Sequence, residues 1–199
     1  PAALATVFGA AGVAVAPDAL VDEVYLPARR GSLQTELIAA TRRRDLVAYE
    51  LEPSFEALLR EIAAGQPVLV LQNLGIDAWP RWHYAVVIGY DVAADELLLR
   101  SGTTARERLS RRRFDASWQR AGRWALVVSG PAAPSATVVP LRWLRTAADL
   151  EQTGRIAAAR VAQRAAVARW PEVPLAAVAL ANGELADGDA AAAERTLRQ

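Results

Sequence analysis

His83 is the residue of this sequence best suited to proton transfer near neutrality, because the chain holds 1 His and no Cys. It opens the run HYAVVIGYD over residues 83–91, in which both parities are apolar. That pattern predicts a strand buried on both faces and central in its sheet. An imidazole at the start of such a strand, between Trp82 and Tyr84, sits at the rim of a core, where it can act as a general acid or base. A structural or merely exposed His is the plain alternative. Gln72 and Asn73 end the preceding β-rich run, so one of them is a candidate to face a cleft beside His83, or else to cap a turn. Trp79 and Trp82 straddle the approach to His83, as a substrate wall or as packing. Gly31 and Ser32 are candidates for the opposite side of a cleft. Residues 100–123 carry eight Arg against Glu107 and Asp115, a stripe that suits phosphate or an acidic peptide, or is simply a solvated face. Without Cys there is no disulfide, thiolate metal site or thiol nucleophile within the chain. No metal-ligand cluster, phosphate-binding Gly loop or dinucleotide fingerprint occurs, so no cofactor is expected.

These residues need a scaffold, and 199 residues suffice for one domain plus a small appendage. A hydrophobic share of 53% excludes disorder. No apolar run approaches the roughly 18 residues of a membrane span. A net charge of +1 and few exposed aromatics among the arginines argue against nucleic acid as a partner. All 23 basic residues are Arg and 44 residues are Ala, a bias of GC-rich coding. A chain with 0 Met is expected to be a processed or truncated piece. Any signal peptide or lipid anchor would then lie outside it, and membrane association is expected only through such an anchor.

The N-terminal stretch Pro1–Gly12 predicts a helix, with Pro at its first position and Leu4, Val7 and Phe8 on one face. Short helices are expected at Asp18–Val24 and Leu33–Arg43, with a turn over Pro27–Ser32 and an extended piece at Leu46–Leu51. Ser54 is placed to N-cap a helix through Ala64. The period then changes, and strands are expected at residues 68–74, 83–91, 96–102, 106–114 and 123–130, with one or two helical turns at Asp115–Ala121. Helices first and an antiparallel sheet afterwards make residues 1–130 an α+β domain. Residues 131–139 read as a linker, and helices follow over 140–199. Gly154 and Gly188 lie 34 residues apart, and Ala159 and Ala193 share the offset. The period resembles the tetratricopeptide repeat. Trp143, Gly154, Ala159, Ala166 and Pro171 match one copy, and Leu180, Gly188, Asp189 and Ala193 match a second that stops at Gln199. A generic Ala-rich helical hairpin is the plain alternative.

The opening PAALA, followed at a distance by VLVLQNL and HYAVVIGYD, resembles the papain-like bacteriocin-processing cysteine peptidases. The helical tail resembles that of a bacterial subfamily fused to tetratricopeptide repeats. The resemblance covers residues 1–130 and implies a papain-like fold, with His83 as general base. It implies a nucleophilic Cys two positions before Pro1, at a helix N-terminus whose dipole lowers thiol pKa, and a preceding Gln that helps hold the oxyanion. The family's Asp or Asn on the strand after the His strand is replaced here, and Ser101 falls nearest that place. Asp91 lies about 25 Å along His83's own strand, by strand rise. The implied function is hydrolysis of a peptide or protein, with the repeat tail binding a protein partner. The implied location is a bacterial cell envelope or periplasm. Two other readings stay open: an inactive pseudo-peptidase serving as a peptide-binding scaffold, and related acyl transfer on the same residues.

Overall fold

The computed structural model describes residues 1–29 and 31–198. The chain divides into two compact units. The first comprises residues 1–40, 50–128 and 135–137; the second comprises 41–49, 129–134 and 138–199.

The first unit begins with α1 (Ala2–Ala10), which buries Leu4, Val7 and Phe8 at i, i+3 and i+4 and packs on the sheet. It stops at Gly12, whose φ of 85° needs a glycine. A 3-10 turn at Pro17–Leu20 runs into the single turn α2 (Val21–Val24), and a second 3-10 turn covers Pro27–Arg29. Then come α3 (Gln34–Arg42) and, after the segment 41–49 of the second unit with its short strand β1 (Val47–Glu50), α4 (Phe55–Ala63). Ser54 caps α4 as expected, its Oγ accepting from Ala57 N at 3.0 Å, a contribution of about 1 kcal/mol.

The antiparallel sheet of this unit contains β2 (Val68–Asn73), β3 (Trp82–Asp91), β4 (Glu96–Ser101), β5 (Thr104–Ser110) and β6 (Ala125–Ser129). Their lateral order is β6-β2-β3-β4-β5, which makes β3 central. Every residue of β2 is buried, as the continuous apolar run requires. One expectation fails in detail: β5 starts and ends earlier than residues 106–114, and α5 (Arg111–Gln119) takes over the arginine run. Phe114, Ser117 and Trp118 are buried there at i, i+3 and i+4. Two buried aromatics, each supplying about 1.5–3 kcal/mol, impose the helical period on residues that looked like an alternating strand. The small-residue stretch before Pro140 is tied down at one end. Glu61, fully buried, accepts from Ala136 N at 3.3 Å, Thr137 N at 2.7 Å and Thr137 Oγ1 at 2.5 Å. Those donors offset the cost of burying its carboxylate.

The second unit holds α6 (Pro140–Gln152), α7 (Ile156–Arg169), α8 (Pro174–Ala186) and α9 (Ala190–Leu197). They form two helical hairpins, with α7 also against α8. Pro stands in the first turn of α6 and of α8, and Gly154 and Gly188 turn each hairpin with φ of 78° and 86°. Trp143 is fully buried and donates Nε1–H to Ala162 O at 2.8 Å. Arg42 and Asp149 pair at 2.5 Å, joining residues 41–49 to α6 within this unit.

Arg160 is the buried cation of this unit, 5% exposed. It reaches Asp187 at 2.7 Å, Glu151 at 2.9 Å and Gln163 Oε1 at 3.1 Å. Its guanidinium lies flat against Gly183, where an added Cβ would come within 2.4 Å. Gly183→Ala gains about 1 kcal/mol of helix propensity. Displacing a buried paired charge costs about 3–5 kcal/mol when the partner is lost outright, less here because both acids are part-exposed. We expect a net loss of about 1–2 kcal/mol in denaturant unfolding, recovered in part by Arg160→Met in the same background. An unchanged midpoint would mean the guanidinium reseats freely.

Candidate functional site

A cavity of about 1090 Å³ opens in the first unit beside the start of α1. Pro1 and Ala2 form one part of its wall, and Trp82, His83 and Tyr84 form another. The turn that brings β3 to this place is built by Asn73. Its side-chain Oδ1 accepts from Gly75 N and Arg81 N, both at 2.9 Å, while Arg120 donates to its backbone carbonyl at 2.9 and 3.2 Å. Gly75 has no alternative there, because a Cβ would meet Trp79 O at 2.3 Å.

His83 is half-buried, and its Nε2 lies 2.9 Å from Ser101 Oγ. Register explains the meeting. Ala85 pairs with Ser101 across β3 and β4, so Ser101 is the diagonal neighbour of His83 on the same face. Which of the two donates depends on the imidazole tautomer. With Nε2–H donating to the hydroxyl, Nδ1 is left as the basic nitrogen. Tyr84 donates to Ser32 O at 3.2 Å, tying the start of β3 to the far wall, and burial pushes its phenol up to about 12. A half-buried imidazole with one nitrogen committed and the other free, beside a helix N-terminus, can exchange a proton with a group held at that N-terminus.

The model of the Peptidase_C39 like family matches residues 1–126. The chain belongs to that family. Among solved structures, a C39-like peptidase from Bacillus anthracis is similar at 20% identity and a TM-score of 0.54, over 67% of this chain and 87% of that one. The peptidase domain of Streptococcus ComA, a bi-functional ABC transporter involved in quorum sensing, is similar at 16% identity and a TM-score of 0.50, over 64% and 87%. At these identities the two structures speak for the fold. No curated protein matches the chain.

Within this C39-like unit the sequence candidates separate. His83 and Trp82 line the cavity together with Gly31 and Ser32, and Ser101, outside the wall itself, is joined to His83 by its hydrogen bond. Gln72, although paired with His83 across β2 and β3, does not line the cavity. It is 2% exposed and donates Nε2–H to Ser117 Oγ on α5 at 2.7 Å. Asn73, 1% exposed, is the turn cap described above rather than a cleft residue. Trp79 is 77% exposed at the tip of its loop and outside the cavity wall. Asp91 is engaged with Arg108 at 3.2 Å, far along β3. Tyr84, the expected neighbour of His83, also lines the cavity, as do Arg100 and Arg106 from the arginine stripe. Among the described residues no group of acids and His could hold a metal ion, and no helix is long and apolar enough to cross a membrane.

Burial holds His83 below its ordinary value of 6.5; the Glu107 carboxylate pulls it back up and Arg81 pushes it down again. As pH falls through 6.5 the unfolded chain takes up the proton first, so the stability contributed by neutral His83 is present above 6.5 and lost below it. The lone imidazole resonance should therefore titrate with a midpoint below 6.5. Comparing unfolding free energies of the wild type and His83→Gln should show this slope only in the wild type. A midpoint above 6.5 would overturn the assignment of burial as the dominant effect. His83→Ala should itself cost under about 1 kcal/mol in thermal unfolding, since one part-exposed hydrogen bond is at stake.

Proposed function

We propose that the C39-like unit hydrolyses peptide bonds as a cysteine peptidase, with His83 as proton carrier and Ser101 as its positioning residue. The observation that supports it is the hydrogen bond between His83 Nε2 and Ser101 Oγ, with His83 in the wall of the cavity where α1 begins. The sequence has 0 Cys, so in this reading the thiol belongs to a residue ahead of Pro1. There the helix dipole and imidazolium favour thiolate. The thiolate attacks the scissile carbonyl carbon, and backbone N–H groups at the start of α1 help hold the oxyanion. The C–N bond then breaks as His83 delivers its proton to the departing amine. Water, deprotonated by His83, releases the acyl group from sulfur.

Ser101 meets the imidazole with a hydroxyl and brings no negative charge, unlike the Asp that the resemblance implies as one of two choices. That observation favours a second reading, in which the unit binds a peptide without cutting it. We propose further that the two hairpins of the second unit are tetratricopeptide-like. Their starts repeat at 140 and 174, and at 156 and 190, and they would bind a protein partner. An envelope location goes with this reading.

The test uses the polypeptide extended ahead of Pro1. One thiol should react with iodoacetamide near pH 6, and His83→Ala should slow it by about tenfold or more, the tuning an ion pair provides. Ser101→Ala should slow it less, and Ser101→Asp should restore or exceed the parent rate, because the carboxylate stabilises imidazolium. A thiol indifferent to His83 removes the peptidase reading and leaves the binding one.

A further inference from the structure

We propose that Arg100 and Arg106 form a subsite for an acidic side chain, so that the peptide taken by the cleft carries Glu or Asp close to the segment lying against His83. This rests on the reading of the cavity as a peptide cleft and names the class of peptide. Both arginines line the same cavity as His83 and both are exposed. Their placement follows from register. Leu99 pairs with Glu107 and Ser101 with Thr104, so Arg100 and Arg106 both fall within the register shift between these two pairs. Neither guanidinium has an acidic partner among the described residues.

Three other arginines of this region have acidic partners. Arg108 sits 3.2 Å from both Asp91 and Glu96, Arg111 reaches Asp95 at 3.0 Å, and Arg123 reaches Asp115 at 3.0 Å. Glu107 does not serve the pair, because alternation turns it to the opposite face from Arg106. So Arg108, Arg111 and Arg123 are neutralised outside the cavity, while the two arginines in its wall are open to solvent. A guanidinium fork matches a carboxylate in two parallel hydrogen bonds. The exposed hydroxyls of Thr103 and Thr104 lie in the same wall. Trp82 and Tyr25, 57% and 38% exposed, offer the apolar faces that the stem of a peptide needs and a free anion does not. That combination favours an acidic peptide over inorganic phosphate.

The test measures binding to the chain as it stands, by calorimetry at low salt. Two Gly-rich peptides of equal length are compared, one bearing a Glu pair and the other a Gln pair. The Glu peptide should bind about tenfold tighter, the scale of a well-placed charge contact. The preference should vanish in Arg100→Gln/Arg106→Gln. It should persist in Arg112→Gln/Arg113→Gln, which removes the same charge from exposed positions outside the cavity. Equal binding of both peptides overturns the acidic subsite and leaves the peptide cleft standing. Binding of neither overturns both. Inorganic phosphate or a short oligothymidylate displacing the Glu peptide at lower concentration than free Glu peptide does would overturn the assignment to a peptide.

Discussion

The register of β3 between β2 and β4 is the constraint on which the site depends. A slip of one residue would carry His83 to the other face of the sheet and away from Ser101. Six consecutive pairs with β2, from Val68 with Val87 to Asn73 with Trp82, pin the half of β3 that carries His83. The other half follows a different register, shifted between Val87 and Gly89. The extra residue reconciles two demands. His83 and Tyr90 have opposite parity, yet the bulge brings Tyr90 to the face where Phe55 meets it at 6.1 Å and Phe114 meets Phe55 at 6.5 Å. The aromatic core and the imidazole therefore share a face without competing for register. Gly89 sits in the bulge facing Leu98, where a Cβ would come within 3.1 Å of Leu98 Cδ1.

The parts of this arrangement that were legible in the sequence are those that periodicity carries. The first helix, the cap at Ser54 and the central position of the His83 strand follow from apolar spacing and one hydroxyl, and the coordinates place them where that spacing requires. The proximity of Ser101 to His83 was read through resemblance, and the pairing of Ala85 with Ser101 supplies its physical reason. Gln72 and Asn73 show where such reading stops. Strand alternation gives a face, but it cannot tell which of two polar residues at a strand end finds a buried hydroxyl and which closes a turn. The hydroxyl of Ser117 lies 45 positions away from Gln72. The extent of α5 was hidden for a related reason, since the arginines at 106, 108 and 111–113 mimic an alternating strand and mask the spacing of Phe114 and Trp118.

Replacing a carboxylate by a hydroxyl beside an imidazole changes what that imidazole is at rest. A carboxylate would stabilise the charged ring and raise its pKa. Ser101 fixes the ring's direction and does nothing for its charge. Burial then decides, and with Glu107 and Arg81 opposing each other, His83 stays below its ordinary range. A ring neutral at rest is well suited to accept a proton and poorly suited to hold one. In such a site a thiolate at the start of α1 would itself have to supply the charge that keeps imidazolium. The pair would then depend on the helix N-terminus more heavily than in a site with its own acid.

Arginine identity carries no information in a chain whose every basic residue is Arg, so partners must sort them. Arg160 is buried and held by two acids and an amide, with Gly183 making room for it; it organises the second unit. Arg42, Arg108, Arg111 and Arg123 are part-exposed and paired, where solvent screens most of the attraction. Arg120 donates to the carbonyl of Asn73 and so supports the loop ahead of β3. Arg100 and Arg106 differ from all of these. Both line the cavity with no acidic partner among the described residues. A negatively charged group arriving from solution would meet them through directed, charge-assisted hydrogen bonds in the cavity that His83 also lines.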